Sequence, residues 1–144
     1  MQGVVVSINI SKNKGTTKQS IKEAMVIENY GIEGDAHASS HWHRQISLLA
    51  LESIQKMMDK GLTLNYGDFA ENITTKGIEL LSLPVGTKLQ IGEVILEITQ
   101  HGKSCHSKCE IFKIVGNCIM PKEGIFAKVL KGGKIKVGDE IKVL

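Results

Sequence analysis

The apolar residues of this chain come in short β-branched runs, and nearly every run stops at a glycine-bearing turn. That punctuation constrains the fold more than any other feature. Residues 88–91 and 94–100 flank Gly92-Glu93, a two-residue hairpin signal. Val94, Leu96 and Ile98 alternate with less apolar neighbours, as one face of a half-buried strand requires. Further strands are expected over residues 3–10, 24–28, 45–49, 124–130 and 141–144, and a short one after the loop that opens at residue 67. Turns are expected at 11–17, at 80–86 around Pro84, at Gly132-Gly133 and at Gly138-Asp139. One helix is expected over 51–60, where Leu51, Ile54, Met57 and Met58 share a face and Gly61 follows as a cap. A second is expected over 105–115, ended by Gly116. Many short strands with one or two short helices read as a mainly β protein, a compact β-barrel or sandwich.

The chain has 144 residues, which fits a single domain spanning 1–144. Aromatic residues make up 4%, so the core must be built from Ile, Leu, Val and Met. No apolar run is long enough for a membrane span, and residues 1–6 lack the basic and apolar regions of a signal peptide. A cytoplasmic location without membrane contact is expected, with Cys105, Cys109 and Cys118 reduced. The net charge is +3, and Lys and Arg are dispersed, so nucleic acid is not an expected partner.

Three segments carry candidate chemistry. In His101-Gly102-Lys103-Ser104-Cys105-His106, the lysine and histidine around Cys105 favour its thiolate, as does a helix N-terminus there. A thiolate is the form that a nucleophile or a soft-metal ligand needs. Buried thiol is the competing reading, chiefly for Cys118 beside Ile119 and Met120. Zinc held by His101, Cys105, Cys109 and Cys118 is another, although no Cys-x2-Cys knuckle is present. The second segment is the long loop over residues 30–44. Its glycines Gly31 and Gly34 permit turns whose amides cradle an anion, and Arg44 can fork onto phosphate or carboxylate. Asp35, His37, His41 and His43 add polar groups, and three histidines so close also invite a metal reading. The third is Gly67-Asp68-Phe69-Ala70-Glu71-Asn72-Ile73, where Glu71 and Asn72 could read a heterocycle edge. A plain polar turn explains the same residues. No nucleophile elbow or serine triad is present.

In this order the segments resemble the MOSC family, named for the C-terminal domain of molybdenum cofactor sulfurases. The likeness runs from Val4-Val5-Val6-Ser7-Ile8 through Gly31-Ile32-Glu33-Gly34-Asp35-Ala36-His37 and Arg44-Gln45-Ile46-Ser47-Leu48-Leu49. It continues through Gly67–Ile73, Gly86-Thr87-Lys88-Leu89-Gln90-Ile91-Gly92 and Cys105, and on to Gly124-Ile125-Phe126-Ala127-Lys128-Val129 and Gly132-Gly133-Lys134-Ile135-Lys136-Val137-Gly138-Asp139. The resemblance implies a MOSC-type β-barrel and a pyranopterin molybdenum (or tungsten) cofactor; pyridoxal phosphate is not expected. It implies that Cys105 ligates molybdenum or carries sulfur. Gly34, Asp35, His37, Arg44, Glu71, Asn72, Lys103 and Ser104 would then line the cofactor pocket, with phosphate on Lys103 and Arg44. Ser104 stands where many members have Pro or Arg. The expected role is cofactor handling, sulfur transfer or delivery, with cofactor-biosynthesis or acceptor enzymes as partners. Alternatives are a molybdenum-dependent reductase of N-hydroxylated compounds and a non-enzymatic zinc or redox thiol module.

Overall fold

The computed structural model describes residues 2–13, 17–59, 61, 63–102 and 123–144. The strands are β1 (Gln2–Ile10), β2 (Gln19–Ile21), β3 (Glu23–Ile27), β4 (Gly31–Ile32), β5 (Ile46–Ala50), β6 (Ile73–Lys76), β7 (Lys88–Ile91), β8 (Val94–His101), β9 (Ile125–Lys131), β10 (Gly133–Lys136) and β11 (Glu140–Val143). Helix α1 spans Leu51–Met58, and a 3-10 turn spans Leu80–Ser82.

Seven strands close a barrel in the order β1-β11-β7-β8-β9-β5-β6, with β6 returning to β1. Closure removes the unpaired edges that an open sheet would present. β2 adds to β1, and a separate sheet runs β10-β3-β4. The barrel fills with the inward residues of alternating strands. Ile46, Leu48, Ile73, Leu89, Ile91, Leu96, Ile98, Ile125 and Ile141 are all fully buried. Each such side chain contributes about 1.5–3 kcal/mol of burial free energy.

Two local devices make closure work. β1 carries a bulge between Val5 and Ser7, so Val5 and Ile8 both face the core although they are three apart. The intervening phase change leaves Ser7 and Asn9 together on the other face. β5 and β6 run parallel, which demands a crossover too long for a hairpin. Helix α1 and the loop after it supply that crossover. They bury Leu49, Ile54, Met57, Phe69, Ala70 and Phe126 in a second small core on the outer face of the barrel.

Most expected elements appear within a residue or two. The helix ends earlier than expected, at Met58, with Gly61 donating its N–H to Met58 O. Gly132-Gly133 is not a hairpin turn. The chain passes from β9 to β10 through Gly132 alone, changing sheets. A Cβ on Gly132 would stand 2.6 Å from Val26 O, so the glycine is there for close approach. The long loop over 30–44 contains the short strand β4. β2 and β10 were not foreseen at all. The helix expected over 105–115 lies outside the described residues.

Candidate functional site

Lys103, Ser104, Cys105, Cys109 and Cys118 lie outside the described residues; the place their segment springs from does not. β8 and β9 pair as far as His101 with Ile125, and Gly102 N–H donates to Gly124 O at 2.6 Å. His101 Nε2 stands 2.6 Å from Leu83 O, pinning the stem to the 3-10 turn. Gly102, just after β8, and Gly124, just before β9, therefore lie side by side.

Arg44 is held beside this stem. It precedes β5, which pairs with β9 so that Ser47 faces Phe126. The Arg44 guanidinium carbon lies 5.3 Å from the Phe126 ring centre and 4.9 Å from that of Trp42. Stacking between two rings favours a planar guanidinium and restricts its rotation. Its Nε is buried without a hydrogen-bond partner among the described residues. Among the described residues no carboxylate pairs with Arg44. Leaving such a donor unmet costs about 1–3 kcal/mol.

The loop that carries Arg44 is fixed by its neighbour. Gln45 Oε1 accepts from Val129 N at 2.9 Å, while Nε2 donates to Asn29 Oδ1 and to Ser39 O. Gly31 (φ 132°) is required beneath it, because a Cβ there would meet Gln45 O at 2.5 Å. His43 packs its ring 4.6 Å from that of Trp42, and its Nδ1 lies 2.9 Å from Thr99 Oγ1.

Asp35 and His37 do something different. Asp35 and Lys18 form a fully buried ion pair at 2.6 Å. Asp35 Oδ1 also accepts from Ser11 N and Oδ2 from His37 N, while Lys18 Nζ reaches Ser11 Oγ and His37 Nδ1. Of the loop amides that the sequence offered as an anion cradle, His37 N donates to the protein's own Asp35 carboxylate, while those of Glu33, Asp35, Ala36 and Ala38 donate to backbone carbonyls. The three histidines of this loop do not converge: no group of three metal-ligating side chains is found among the described residues.

Glu71 and Asn72 are buried and tie the crossover loop to β1 and β5. Asn72 Oδ1 accepts from Ser47 N at 2.9 Å, and its Nδ2 donates to Asn9 O at 3.1 Å. Glu71 Oε2 accepts from Thr74 Oγ1 at 2.8 Å and from Gly67 N at 3.1 Å. Its Oε1 is buried without a partner. Burial pushes the Glu71 carboxyl above its ordinary value, against the lowering pull of the Gly67 amide and the Thr74 hydroxyl.

Sequence reasoning missed Lys18, Trp42 and Thr99. Lys18 carried no signal, since it stands in a polar stretch. Trp42 did: it is the chain's one tryptophan and directly precedes His43-Arg44 in a loop.

A closed seven-stranded barrel, crossed by one parallel connection and carrying Arg44 beside the β8–β9 stem, defines a MOSC-type barrel protein. The chain belongs to the MOSC domain family, whose model matches residues 33–142. That family is commonly linked to molybdenum cofactor binding. Solved structures share the fold. The YuaD protein of Bacillus subtilis superposes with a TM-score of 0.82 at 18% identity, covering 99% of this chain and 96% of that one. YiiM of Geobacillus stearothermophilus superposes with a TM-score of 0.75 at 21% identity, covering 99% and 75%. YiiM of Escherichia coli gives 0.71 at 17% identity, covering 100% and 70%. A sequence search of curated proteins finds no match. No helix among the described residues is long and apolar enough to cross a membrane.

Proposed function

We propose that this protein binds the molybdenum cofactor through the Cys105 thiolate and serves in cofactor handling, sulfur transfer or delivery. The observation that carries the reading is the buried Arg44 Nε, without a partner among the described residues, on a guanidinium that lies over Phe126, the β9 residue next to the Ile125 that pairs with His101. A rigid fork of N–H donors without a carboxylate partner suits the phosphate of a pyranopterin. Bound there, the cofactor would supply a metal centre able to exchange sulfur or electrons. Arg44 and Lys103 would hold its phosphate, and Cys105 would supply a metal ligand. Gly34, Asp35 and His37 would contribute by fixing the shape of the loop before Arg44, since Asp35 is engaged with Lys18 and backbone amides. Glu71 and Asn72 would act in the same way from the crossover loop.

The test is reconstitution with the cofactor followed by X-ray absorption at the metal edge. The expected spectrum has one more metal–sulfur contact in wild type than in Cys105→Ala. Identical spectra from the two proteins would remove the thiolate from the account.

A further inference from the structure

Helix α1 and the 3-10 turn flank a groove of about 510 Å³ that the proposed cofactor site does not use. Its floor is apolar. Ile78 and Leu80 belong to the barrel core, and Leu81 beside them is 45% exposed. Its rim is acidic. Glu52 stands on α1, Glu79 precedes the 3-10 turn, and Glu123 stands two residues before β9. Lys56 is the one cation among the described lining residues, so the groove is net negative on a chain whose net charge is +3. The walls are tied in place. Glu52 Oε2 accepts from Gly77 N at 3.0 Å, and Glu123 Oε1 accepts from Ser53 Oγ at 2.8 Å and from Lys56 Nζ at 3.1 Å. These bonds use one oxygen of each carboxylate. An acidic rim around an apolar floor focuses the field and draws cations that the rest of the molecule repels. Glu52, Glu79, Leu81 and Ser82 are all exposed, so the groove is open and suits a length of chain lying across it.

We propose that this groove docks a basic segment of a partner protein. The segment lays a leucine-like side chain on Ile78, Leu80 and Leu81 and sets Lys or Arg against Glu52, Glu79 and Glu123. The apolar contact supplies most of the affinity, and the carboxylates select the sign of the partner's charge. The place gives the groove a use. Glu123 precedes Gly124, whose O accepts from Gly102 N, and Leu83, just after the 3-10 turn, holds His101. A partner docked here would stand beside the stem that leads to Cys105, where a protein exchanging cofactor or sulfur would need to be. That use rests on the proposed function; the charge and shape of the groove do not.

The probe is a fluorescein-labelled heptapeptide of alternating lysine and leucine, titrated with the full-length protein and followed by anisotropy. Two control peptides carry glutamate for every lysine or serine for every leucine. Wild type should bind the lysine–leucine peptide saturably and at least about tenfold more tightly than either control. Glu79→Lys should weaken that binding about three- to tenfold, and Leu81→Ser about five- to tenfold. Both positions are exposed, so both variants should unfold with wild-type midpoints. Glu28→Lys makes the same change of charge at an exposed position outside the groove and should bind as wild type. Cys105→Ala should also bind as wild type, which separates failure here from failure of the thiolate reading. Equal weakening by Glu28→Lys and Glu79→Lys would reduce the effect to net charge and overturn the inference, as would equal binding of the acidic and basic peptides. Absence of saturable binding, or a dimer in sedimentation that Leu81→Ser dissociates, would give the groove to the chain itself or to a second copy and overturn it as well.

Discussion

Two polar clusters flank the same loop, and they are built on opposite terms. Around Asp35 every strong group is matched: two carboxylate oxygens meet an ammonium and two amides inside the protein. Around Arg44 the guanidinium is held by two rings, yet its buried Nε meets no partner among the described residues. Burial makes a matched ion pair expensive to break and an unmatched donor expensive to keep. The first cluster therefore holds the fold, while the second retains a cost that a bound anion would offset.

The largest expected effect falls on the matched cluster. Asp35→Asn leaves the Lys18 ammonium buried without its counter-charge and should cost about 3–5 kcal/mol of stability in denaturant unfolding. A loss below about 1 kcal/mol would mean that water reaches the pair and that the contrast is false.

Glu71 sharpens the contrast by pH. Its folded-state value is raised by burial, so between the ordinary glutamate value and the raised one the folded protein binds more protons than the unfolded chain. Stability from this group is full below the ordinary value and is lost as pH rises through the raised one. Urea midpoints of wild type should fall over that window relative to Glu71→Gln, whose side chain does not titrate. A difference that stays constant with pH would show that Glu71 is charged throughout.

Smaller again is Gln45→Ala. It removes the amide that ties Asn29, Ser39 and Val129 together and should cost about 1–3 kcal/mol, since Val129 N would lose its acceptor. The Trp42 emission should also shift, because the loop that carries it is freed. Loss of stability with unchanged emission would place the loop's rigidity elsewhere.

The hairpin of β7 and β8 was plain in the sequence, because Gly92 and the Val94–Leu96–Ile98 alternation are local signals. β2, β4 and β10 were not. Gln19-Ser20-Ile21 has no strand pattern and becomes one only by pairing with β1. The parallel register of β5 on β6 is equally silent, since it joins residues across a helix and a loop. Arg44 was legible as a candidate anion ligand from its type and place. Its lack of a partner was not, because that depends on what the fold brings near. Asp35 misled for the same reason: Lys18, seventeen residues upstream, arrives only in three dimensions. Thr99 looks like any strand threonine until its hydrogen bonds to His43 O and Phe126 O are seen.

The central claim is that Arg44 is kept for a ligand and not for the fold. Stability and cofactor affinity measured side by side for Arg44→Gln test it directly. The account predicts unfolding free energy equal to or above that of wild type, with cofactor binding weakened at least about tenfold, as loss of a charge-assisted contact implies. A variant that loses about 2 kcal/mol or more of stability while binding cofactor as tightly as wild type would contradict it.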